Sequence, residues 1–185
     1  MGFILINVFL CIVIFISLIV LWFVWPPDSP WSPWWQISKI EESLKLANVT
    51  KKDIVYDLGS GDGRIPILAA RKFGAYGVGI EIDYIRHWIA LLKTRLYKLN
   101  NKVSLKRGSF YNFKINDATV VFVYLVPRVL EKLKPKLVKE LKKGTRVVSY
   151  KYKFQPSHEA LEGHVNQLKF VRTDRKNQIH LYRIV

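Results

Sequence analysis

The sequence is short of cysteine, short of acidic residues and, over its first 27 residues, free of any charged side chain. Cys11 is the only cysteine, so no disulfide can form within the chain, which is consistent with a reducing compartment. There are 14 Asp and Glu against 30 Lys and Arg, and the formal net charge of +16 lies entirely on residues 28–185. We therefore expect a domain that is attracted to anionic surfaces, such as lipid headgroups, nucleic acid or acidic proteins.

Several familiar binding motifs are also missing. No G-x-x-x-x-G-K-[ST] segment occurs, which excludes a Walker-type phosphate loop. The glycine-rich segment that begins at Gly59 has Arg64 where a dinucleotide-binding turn has its third glycine. The four histidines show no metal-ligand spacing, and we predict no metal site.

A long apolar segment opens the chain. It covers residues 3–25 and is interrupted only by Asn7, Cys11 and Ser17. As a helix it spans about 34 Å, against about 30 Å for the hydrocarbon core of a bilayer. It has neither the basic leading region nor the small-residue cleavage site of a signal peptide. We therefore predict a retained transmembrane anchor over residues 1–25.

The segment after the anchor is rich in Pro and Trp. Tryptophan favours the headgroup layer and proline makes a stiff spacer, so we predict an interfacial linker over residues 26–35. The alternative is that its aromatic residues touch a membrane-embedded substrate. Lys39 and many later lysines follow the anchor, whereas no charged side chain precedes it. The positive-inside tendency then predicts a single-pass membrane protein with residues 36–185 on the cytoplasmic side, or on the matrix side of a mitochondrial membrane.

The remaining sequence alternates strand-like and helix-like patterns, which predicts an α/β fold. The predicted strands are 54–56, 77–82, 103–106, 120–124 and 145–150. The predicted helices are 38–48, 64–73, 84–99 and 128–142, and a hairpin follows over 167–172 and 178–184. Right-handed crossovers then give a Rossmann-like, seven-stranded, mostly parallel sheet with one antiparallel strand.

Two of these helices carry more detailed predictions. For helix 84–99 we predict a buried stripe, on the basis of its helical spacing. Its members are Ile85, Ile89, Leu92, Leu96 and Leu99. For helix 128–142 we predict two pieces, with Pro135 opening the second piece and Gly144 capping it.

The stretch Asp53–Asp83 predicts one β-α-β unit with its ligand side at the carboxyl ends of the strands. Within it, a D-x-G-x-G-x-G pattern runs from Asp57 to Gly63, and Glu81 ends the next strand. Glycines let a ligand approach the backbone closely, and the free N–H groups after Gly63 suit a carboxylate or a phosphate. A carboxylate at position 81 can accept both hydroxyls of a ribose, and one at position 57 suits a positive amine.

This pattern resembles the nucleotide-binding motif of class I S-adenosylmethionine-dependent methyltransferases. The resemblance implies the class I methyltransferase fold, with S-adenosyl-L-methionine as cofactor; a glycine turn with another ligand is the alternative. It places Ser109 near the adenine amino group, at a position where an Asp is common and a serine accepts only weakly. Ile82 and Phe110 would flank the adenine ring; the alternative for Phe110 is a plain core role. The predicted cofactor-binding residues are Asp57, Gly59, Ser60, Gly61, Gly63, Glu81, Ile82, Ser109 and Phe110.

Tyr124 is the candidate catalytic residue, at the end of the fourth predicted strand. In this fold the position faces the methyl group, and a tyrosine can orient an amine by its hydroxyl or by a cation–π contact. The alternative is a tyrosine that packs under the sheet edge. The segment Tyr124–Pro127 lacks the [ND]-P-P-[YF] sequence of enzymes that methylate adenine or glutamine amide nitrogens, which disfavours base methylation.

Residues 36–154 resemble the small protein-lysine methyltransferases. These include the mitochondrial enzymes that modify the ATP synthase c-subunit and the adenine nucleotide translocase, and an archaeal enzyme. The matching segments are 53–83, 118–127 and 133–149. The resemblance implies a membrane-anchored protein-lysine N-methyltransferase whose substrate is a membrane-embedded or ribosomal protein, with the lipid bilayer as a second partner.

Two other functions stay open. The basic charge is compatible with an RNA or other nucleic-acid methyltransferase. Its phosphate contacts would be Arg128 and the lysines Lys132, Lys134, Lys136, Lys139, Lys142 and Lys143. The alternative for this lysine row is a solvated helix face near anionic lipid. The third function is a non-catalytic module that binds S-adenosylmethionine and recruits a partner to the membrane.

Overall fold

The structure is a computed structural model that describes residues 2–24, 37–155, 167–176 and 178–185. Two compact units make up the chain. One contains the N-terminal helix and the other contains every later helix and strand. The predicted interfacial linker, residues 26–35, lies outside the described residues.

Helix α1 (Gly2–Val24) is 23 residues long and has no charged residue in its first or last turn. Among the described residues it is the one helix that is long and apolar enough to cross a membrane, and its side chains are exposed through Ile19. Asn7 and Ser17 donate to backbone carbonyls four residues earlier, at 2.9 Å and 2.8 Å, so these polar groups are satisfied within the helix. The predicted apolar helix is confirmed; a membrane anchor and a signal sequence share these features.

Helices and strands alternate through the second unit, and a hairpin ends it. The helices are α2 (Ile37–Leu46), α3 (Arg64–Phe73), α4 (Tyr84–Leu96) and α5 (Pro127–Glu140), with a 3₁₀ turn at Phe110–Asn112. The strands are β1 (Ile54–Leu58), β2 (Tyr76–Glu81), β3 (Val103–Arg107), β4 (Val120–Val123), β5 (Arg146–Tyr150), β6 (Leu168–Asp174) and β7 (Ile179–Ile184).

The seven strands form one sheet in the order β3-β2-β1-β4-β5-β7-β6. Strands β1 to β5 are mutually parallel, and β7 runs antiparallel to both of its neighbours. The strand order reverses at β1, because β2 lies on one side of it and β4 on the other. A ligand crevice is expected outside the carboxyl ends of the strands at this switch point. The predicted Rossmann-like, seven-stranded sheet with a single antiparallel strand is confirmed.

Both faces of the sheet are covered, which explains why β4 is buried at every position. On one face, Val55 and Phe122 pack with buried side chains of α2 and α3. On the other face, Tyr56 and Val121 pack with the buried leucines of α5. Alternate residues of each strand therefore pack on opposite faces of the sheet, and the same alternation sets the face on which the residue just beyond a strand end lies.

Helix α5 is continuous from Pro127 to Glu140, so the prediction of two pieces was wrong. Pro135 lies inside the helix but is exposed, and the fully buried Leu133 and Leu137 pack both sides of it on the sheet. This packing outweighs the missing N–H group of the proline. The cap prediction was also wrong, because the helix ends at Leu141 in an extended conformation.

The predicted buried stripe of α4 was wrong for Ile85, Leu92 and Leu96, which are exposed, whereas Ile89 and Leu99 are half-buried and Leu99 packs against the core. The helix buries Arg86, Ala90 and Thr94, whereas Leu92 and Leu96 are exposed. The reason is a close approach at Gly63, where an added Cβ would lie 2.9 Å from the Cβ of Ala90. Only a small side chain fits at that contact, so the alanine faces inward and the larger apolar residues face outward.

The amino ends of three strands are joined by the buried carboxylate of Asp53. It accepts hydrogen bonds from the backbone N–H of Thr50 and from the hydroxyl of Thr119, both at 2.7 Å, and it pairs with Arg146. Burial opposes the ionisation of Asp53, but these donors and the arginine together hold its pKa below the usual value. Asp53 therefore holds the amino ends of β1, β4 and β5 in register.

We expect Asp53→Ala to lower the free energy of unfolding by about 3–5 kcal/mol, because it leaves the Arg146 guanidinium without its carboxylate. The measurement is urea unfolding of the full chain in detergent, followed by fluorescence. The control is Glu42→Ala, which removes an exposed helix pair with Lys45 and should cost at most about 1 kcal/mol. Equal losses in the two variants would contradict this role for Asp53.

Candidate active site

The turn between β1 and α3 is fastened to the end of β2. The N–H groups of Gly59 and Ser60 both donate to the carbonyl of Ile80, at 2.9 Å and 3.0 Å. The N–H of Gly63 then donates back to the carbonyl of Ser60 at 2.9 Å. These three hydrogen bonds therefore fix the conformation of the predicted glycine turn, and backbone atoms form its outer surface.

Two glycines of this turn have different structural roles. Gly61 has a φ of +53°, and a Cβ added there would meet no atom within 4 Å. Gly63 has a φ of +74°, and its missing Cβ makes room for Ala90 of α4. Both conformations favour glycine. Gly61 therefore leaves an open backbone surface for a ligand, whereas Gly63 serves the packing of α4.

Glu81 is buried at the end of β2, and two backbone groups hold its carboxylate. The N–H of Gly61 donates to Oε2 at 2.7 Å, and the N–H of Asp83 donates to Oε1 at 2.8 Å. Each carboxylate oxygen has two lone pairs, so each retains one acceptor position. The geometry fixes the orientation of Glu81 and leaves two acceptors for a pair of ligand hydroxyls.

Asp57 is a buried carboxylate at the end of β1, and no described residue donates a hydrogen bond to it. Burial raises its pKa well above the usual value, and the negative charges of Glu81 and Asp62 raise it further. Arg64 acts in the opposite direction but does not outweigh them. A positive ligand group beside Asp57 would remove this penalty, because an opposite charge favours the ionised form.

Two further polar atoms of the turn are buried without a partner among the described residues. They are the hydroxyl of Ser60 and Nη1 of Arg64. The other guanidinium nitrogens of Arg64 bond to Asp62 at 2.7 Å and 3.0 Å, and Lys93 of α4 also contacts Asp62. Buried donors of this kind usually have a partner in the functional state. Ser60 was predicted at the site, whereas Asp62 and Arg64 were missed.

The amino end of α3 adds to these donors. Its N-cap residue, Gly63, has no side chain to accept from the first N–H groups of the helix. These groups and the helix dipole favour a negative charge. With Arg64 as the first residue of α3, the turn suits a carboxylate, and the signal in the sequence was the basic residue directly after the last glycine.

The loop after β3 lies against the same strand end as Glu81. The N–H of Gly108 donates to the carbonyl of Glu81 at 2.8 Å. Ser109 accepts a long hydrogen bond of 3.4 Å from the N–H of Tyr111, and Phe110 is half-buried against the core. Ile82 follows β2 and is 68% exposed. The three residues predicted around adenine thus lie on adjacent segments, and Phe110 also serves the core.

Tyr124 and Tyr150 form an aromatic pair at the carboxyl ends of β4 and β5. Their ring centroids are 4.8 Å apart in an edge-to-face arrangement. Burial raises the pKa of Tyr124 to about 12, with smaller effects from Tyr150 and Tyr152, so its hydroxyl stays neutral. The ammonium of Lys39 lies 5.9 Å from the centre of the Tyr150 ring. The aromatic pair therefore already has a cation, the Lys39 ammonium, over one of its rings. The sequence analysis, which considered Tyr124 alone, did not predict this contact.

The predicted site residues follow the strand order. Asp57 and the glycine turn lie at the end of β1, Glu81 and Ile82 at the end of β2, and Ser109 and Phe110 just after β3. Tyr124 lies after β4, on the other side of β1. All of them therefore lie at the carboxyl edge of the sheet, around its switch point, and their roles in binding and catalysis remain predictions.

Comparison with known proteins identifies the family. Residues 57–160, more than half of the chain, match the model of the ANTKMT methyltransferase domain. The chain belongs to this methyltransferase family. The membership confirms the predicted family, the enzyme class and, with the sheet described above, the class I fold.

Three relatives illustrate the similarity. A protein-lysine N-methyltransferase of Saccharolobus islandicus (strain REY15A) is 44% identical over 117 residues, which is 63% of this chain and 73% of the relative. The human lysine N-methyltransferase of the ATP synthase c-subunit is 28% identical over 128 residues, 68% of this chain and 54% of the relative. This chain thus spans about half the length of its human relative.

The third relative is a crystal structure. It is an RNA methyltransferase from Salinibacter ruber in complex with S-adenosyl-L-homocysteine. It is 37% identical, has a TM-score of 0.65, and the match covers 82% of this chain and 90% of that one. S-adenosyl-L-homocysteine is what remains when S-adenosyl-L-methionine gives up its methyl group, so this relative supports the predicted cofactor.

We predict that substitution of Asp57 has opposite effects on stability and on ligand binding. The folded apoprotein holds the Asp57 proton more tightly than the unfolded chain does. Folding stability therefore falls as the pH rises from the usual Asp value of 3.8 to the raised pKa. Asp57→Asn removes the ionisable group, so we expect a higher melting temperature at neutral pH and a weaker fall with pH.

The same substitution should weaken binding of S-adenosyl-L-homocysteine at least about tenfold, because an amide cannot supply the charge-assisted hydrogen bond. Thermal unfolding at several pH values and calorimetry measure the two effects. The control is Asp117→Asn, an exposed residue that accepts from Tyr56 at 2.8 Å. A variant that melts lower than the wild type and binds normally would contradict the proposed state of Asp57.

Proposed function

We propose that this chain is an S-adenosylmethionine-dependent protein-lysine N-methyltransferase. The observation that carries the proposal is the 44% identity with the Saccharolobus islandicus enzyme, which extends over 73% of that relative. The human relative is also named as a lysine N-methyltransferase. The site adds chemical support, because it offers separate groups for a nucleoside, an amino acid and an acceptor amine.

The residues at the carboxyl edge fit S-adenosyl-L-methionine. Glu81 has two free acceptor positions for the ribose hydroxyls. Asp57 suits the positive amino group, since a cation offsets the cost of burying the negative charge of its carboxylate. The amino end of α3, beside Arg64 Nη1, suits the carboxylate. Ile82 offers an exposed apolar surface for the adenine ring, and Phe110 a half-buried one.

The cofactor supplies an activated methyl group on a sulfonium, so the chain itself has to align the acceptor. Holding two reacting groups in line can lower a barrier by about 7–11 kcal/mol. The acceptor lysine must also be neutral, although a free lysine titrates near about 10.4. A partly buried channel favours the neutral amine, because burial opposes the charged form.

Tyr124 and Tyr150 are our candidates for the acceptor position. The neutral hydroxyl of Tyr124 can bond to an amine, and the two ring faces attract an ammonium while it is still charged. The contact between Lys39 and the Tyr150 ring is a lysine–aromatic interaction within the chain itself. We therefore assign Tyr124 to orient the acceptor lysine.

We further propose that residues 1–25 form a retained single-pass anchor, residues 26–35 an interfacial linker and residues 36–185 the catalytic domain. The support is the uncharged helix α1 and the location of the whole net charge of +16 after it. The positive-inside tendency then places the catalytic domain on the cytoplasmic side, or on the matrix side of a mitochondrial membrane. The expected substrates are membrane-embedded or ribosomal proteins.

A second candidate function is RNA methylation, which is favoured by the similarity to the Salinibacter ruber RNA methyltransferase and by the basic charge. The predicted phosphate-binding row on α5 gives it little support. Lys136 is largely buried, and its ammonium bonds to Glu140 at 2.6 Å and to the carbonyl of Phe113 at 2.7 Å. Lys134 bonds to the carbonyl of Gln155. These two lysines are committed to internal contacts, so the row is interrupted in its middle.

The test incubates the full chain in nanodiscs with tritiated S-adenosyl-L-methionine, membrane proteins and ribosomes. We expect protease-sensitive label that mass spectrometry places on lysine. Glu81→Gln should reduce the labelling at least about tenfold at limiting cofactor, because an amide can accept from only one of the two ribose hydroxyls.

Each other outcome has one meaning. Label that resists protease but is lost with ribonuclease would establish the RNA methyltransferase instead. Normal binding of S-adenosyl-L-homocysteine without label in any fraction would establish a non-catalytic module.

Tyr124→Phe tests the assignment of the acceptor position. It keeps the aromatic ring and removes the hydroxyl, so we expect kcat for lysine methylation to fall about fivefold to tenfold. The affinity for S-adenosyl-L-homocysteine should not change, because the cofactor groups lie on β1, β2 and the loop after β3. The control is Tyr97→Phe, on an exposed ring stacked by Arg71. A loss of cofactor affinity without a change in kcat would contradict the assignment.

A further inference from the structure

Helix α4 exposes four large apolar side chains on one face. We call the residues Ile85, Trp88, Leu92 and Leu96 the α4 stripe; their exposed fractions are 44%, 58%, 46% and 71%. They follow one another at intervals of three and four residues, so they share one helix face. The residues that α4 buries are Arg86, Ala90 and Thr94, which lie on a different face.

Residues outside the stripe connect α4 to the rest of the domain, including Tyr84, whose ring centre lies 5.6 Å from the guanidinium carbon of Arg107. Ala90 lies against Gly63, and Lys93 contacts Asp62. Single exposed apolar residues are common on proteins, but a continuous row of four large ones marks an interaction surface. The stripe includes a tryptophan, which is the residue most typical of the membrane interface.

The charged residues of α4 and of the segment that follows it are all basic. No Asp or Glu occurs between Asp83 and Asp117. The Lys and Arg residues in that interval are Arg86, Lys93, Arg95, Lys98, Lys102, Lys106, Arg107 and Lys114. Of these, Arg95 and Lys98 are exposed on and just after α4. An apolar helix face with a basic surround has the composition of helices that lie in the plane of a bilayer.

The charge decides between lipid and a second copy of the chain. Two copies that packed stripe against stripe would bring two basic surrounds together, with no acidic residue in either interval to pair with them. Anionic headgroups supply the opposite charge, at about 1 kcal/mol for each basic residue near the surface. The same chain also carries α1, and a membrane-bound α1 would raise the effective concentration of the stripe at that bilayer.

We infer that the α4 stripe inserts into the headgroup layer of an anionic bilayer, with Arg95 and Lys98 on lipid phosphates. The helix begins directly after Asp83, whose N–H bonds to Glu81. Membrane contact at α4 therefore brings the carboxyl edge of the sheet to the level of the headgroups, where lysines of membrane proteins emerge. The inference concerns lipid contact and holds whatever group the site methylates.

The experiment uses the full chain with Cys11→Ser and one new cysteine, at Leu92→Cys, that carries a nitroxide spin label. Collision with oxygen reports apolar surroundings, and collision with a water-soluble nickel chelate reports water. The matched control site is Lys143→Cys, an exposed position on the turn between α5 and β5. Both proteins are reconstituted in vesicles of phosphatidylglycerol and phosphatidylcholine, or of phosphatidylcholine alone.

We expect the ratio of oxygen to nickel access at position 92 to exceed that at position 143 severalfold in the anionic vesicles. High salt should reduce the difference, because screening weakens the attraction of lysine and arginine to phosphate. Trp88→Cys provides a second position on the stripe, and binding of S-adenosyl-L-homocysteine checks that each labelled protein is folded.

Two outcomes would overturn the inference. Equal nickel access at positions 92 and 143 in anionic vesicles would show that the stripe stays in water. Loss of nickel access in detergent without vesicles, together with dipolar broadening between labels, would show that a second copy covers it.

Discussion

The site depends on one pair of hydrogen bonds, from the N–H groups of Gly61 and Asp83 to the two oxygens of Glu81. They join the turn after β1 to the segment that begins α4, so the carboxylate orientation and the open face of the turn are set together. Without an acceptor side chain at position 81, both N–H groups would lose their partner at a place that water hardly reaches. The same carboxylate therefore serves the fold and is the predicted ligand group, so a change at position 81 requires separate measurements of stability and of binding.

Negative charge is concentrated at this edge although the chain as a whole is strongly basic. The negative charges of Asp62 and Glu81 raise the pKa of Asp57, and of the three carboxylates only Asp62 has close cationic partners, Arg64 and Lys93, among the residues that the structure describes. In the apoprotein the burial of the Asp57 carboxylate therefore opposes folding, and a cationic ligand beside it would offset this cost. A loss of stability of this kind is common at functional sites. The contrast with Asp53 is instructive. That carboxylate is also buried, but it has donors on several sides and serves stability.

The sequence was a reliable guide to the structure wherever local geometry determines it. The β-α-β unit, the positions of Glu81 and Ser109 and the single antiparallel strand follow from short motifs and from the handedness of crossovers. Prediction from the sequence failed where a contact between residues far apart in the chain determines the local structure. The inward face of α4 is set by the contact of Ala90 with Gly63, and apolar periodicity alone could not reveal that the larger residues face outward. Pro135 stays helical because leucines on both sides of it are buried.

The net charge of +16 raises a question about a lysine acceptor, because a field of this sign repels a cationic substrate at long range. Two features reduce the difficulty. The aromatic pair Tyr124 and Tyr150 offers ring faces that attract an ammonium at short range, as the contact with Lys39 illustrates. Anionic lipid around α4 would neutralise part of the field at longer range, within about 8–10 Å of each headgroup. A basic domain is therefore better suited to a lysine presented at a membrane surface than to one on a soluble protein. The anionic lipids that attract the domain also screen its positive charge, which would otherwise repel a cationic lysine.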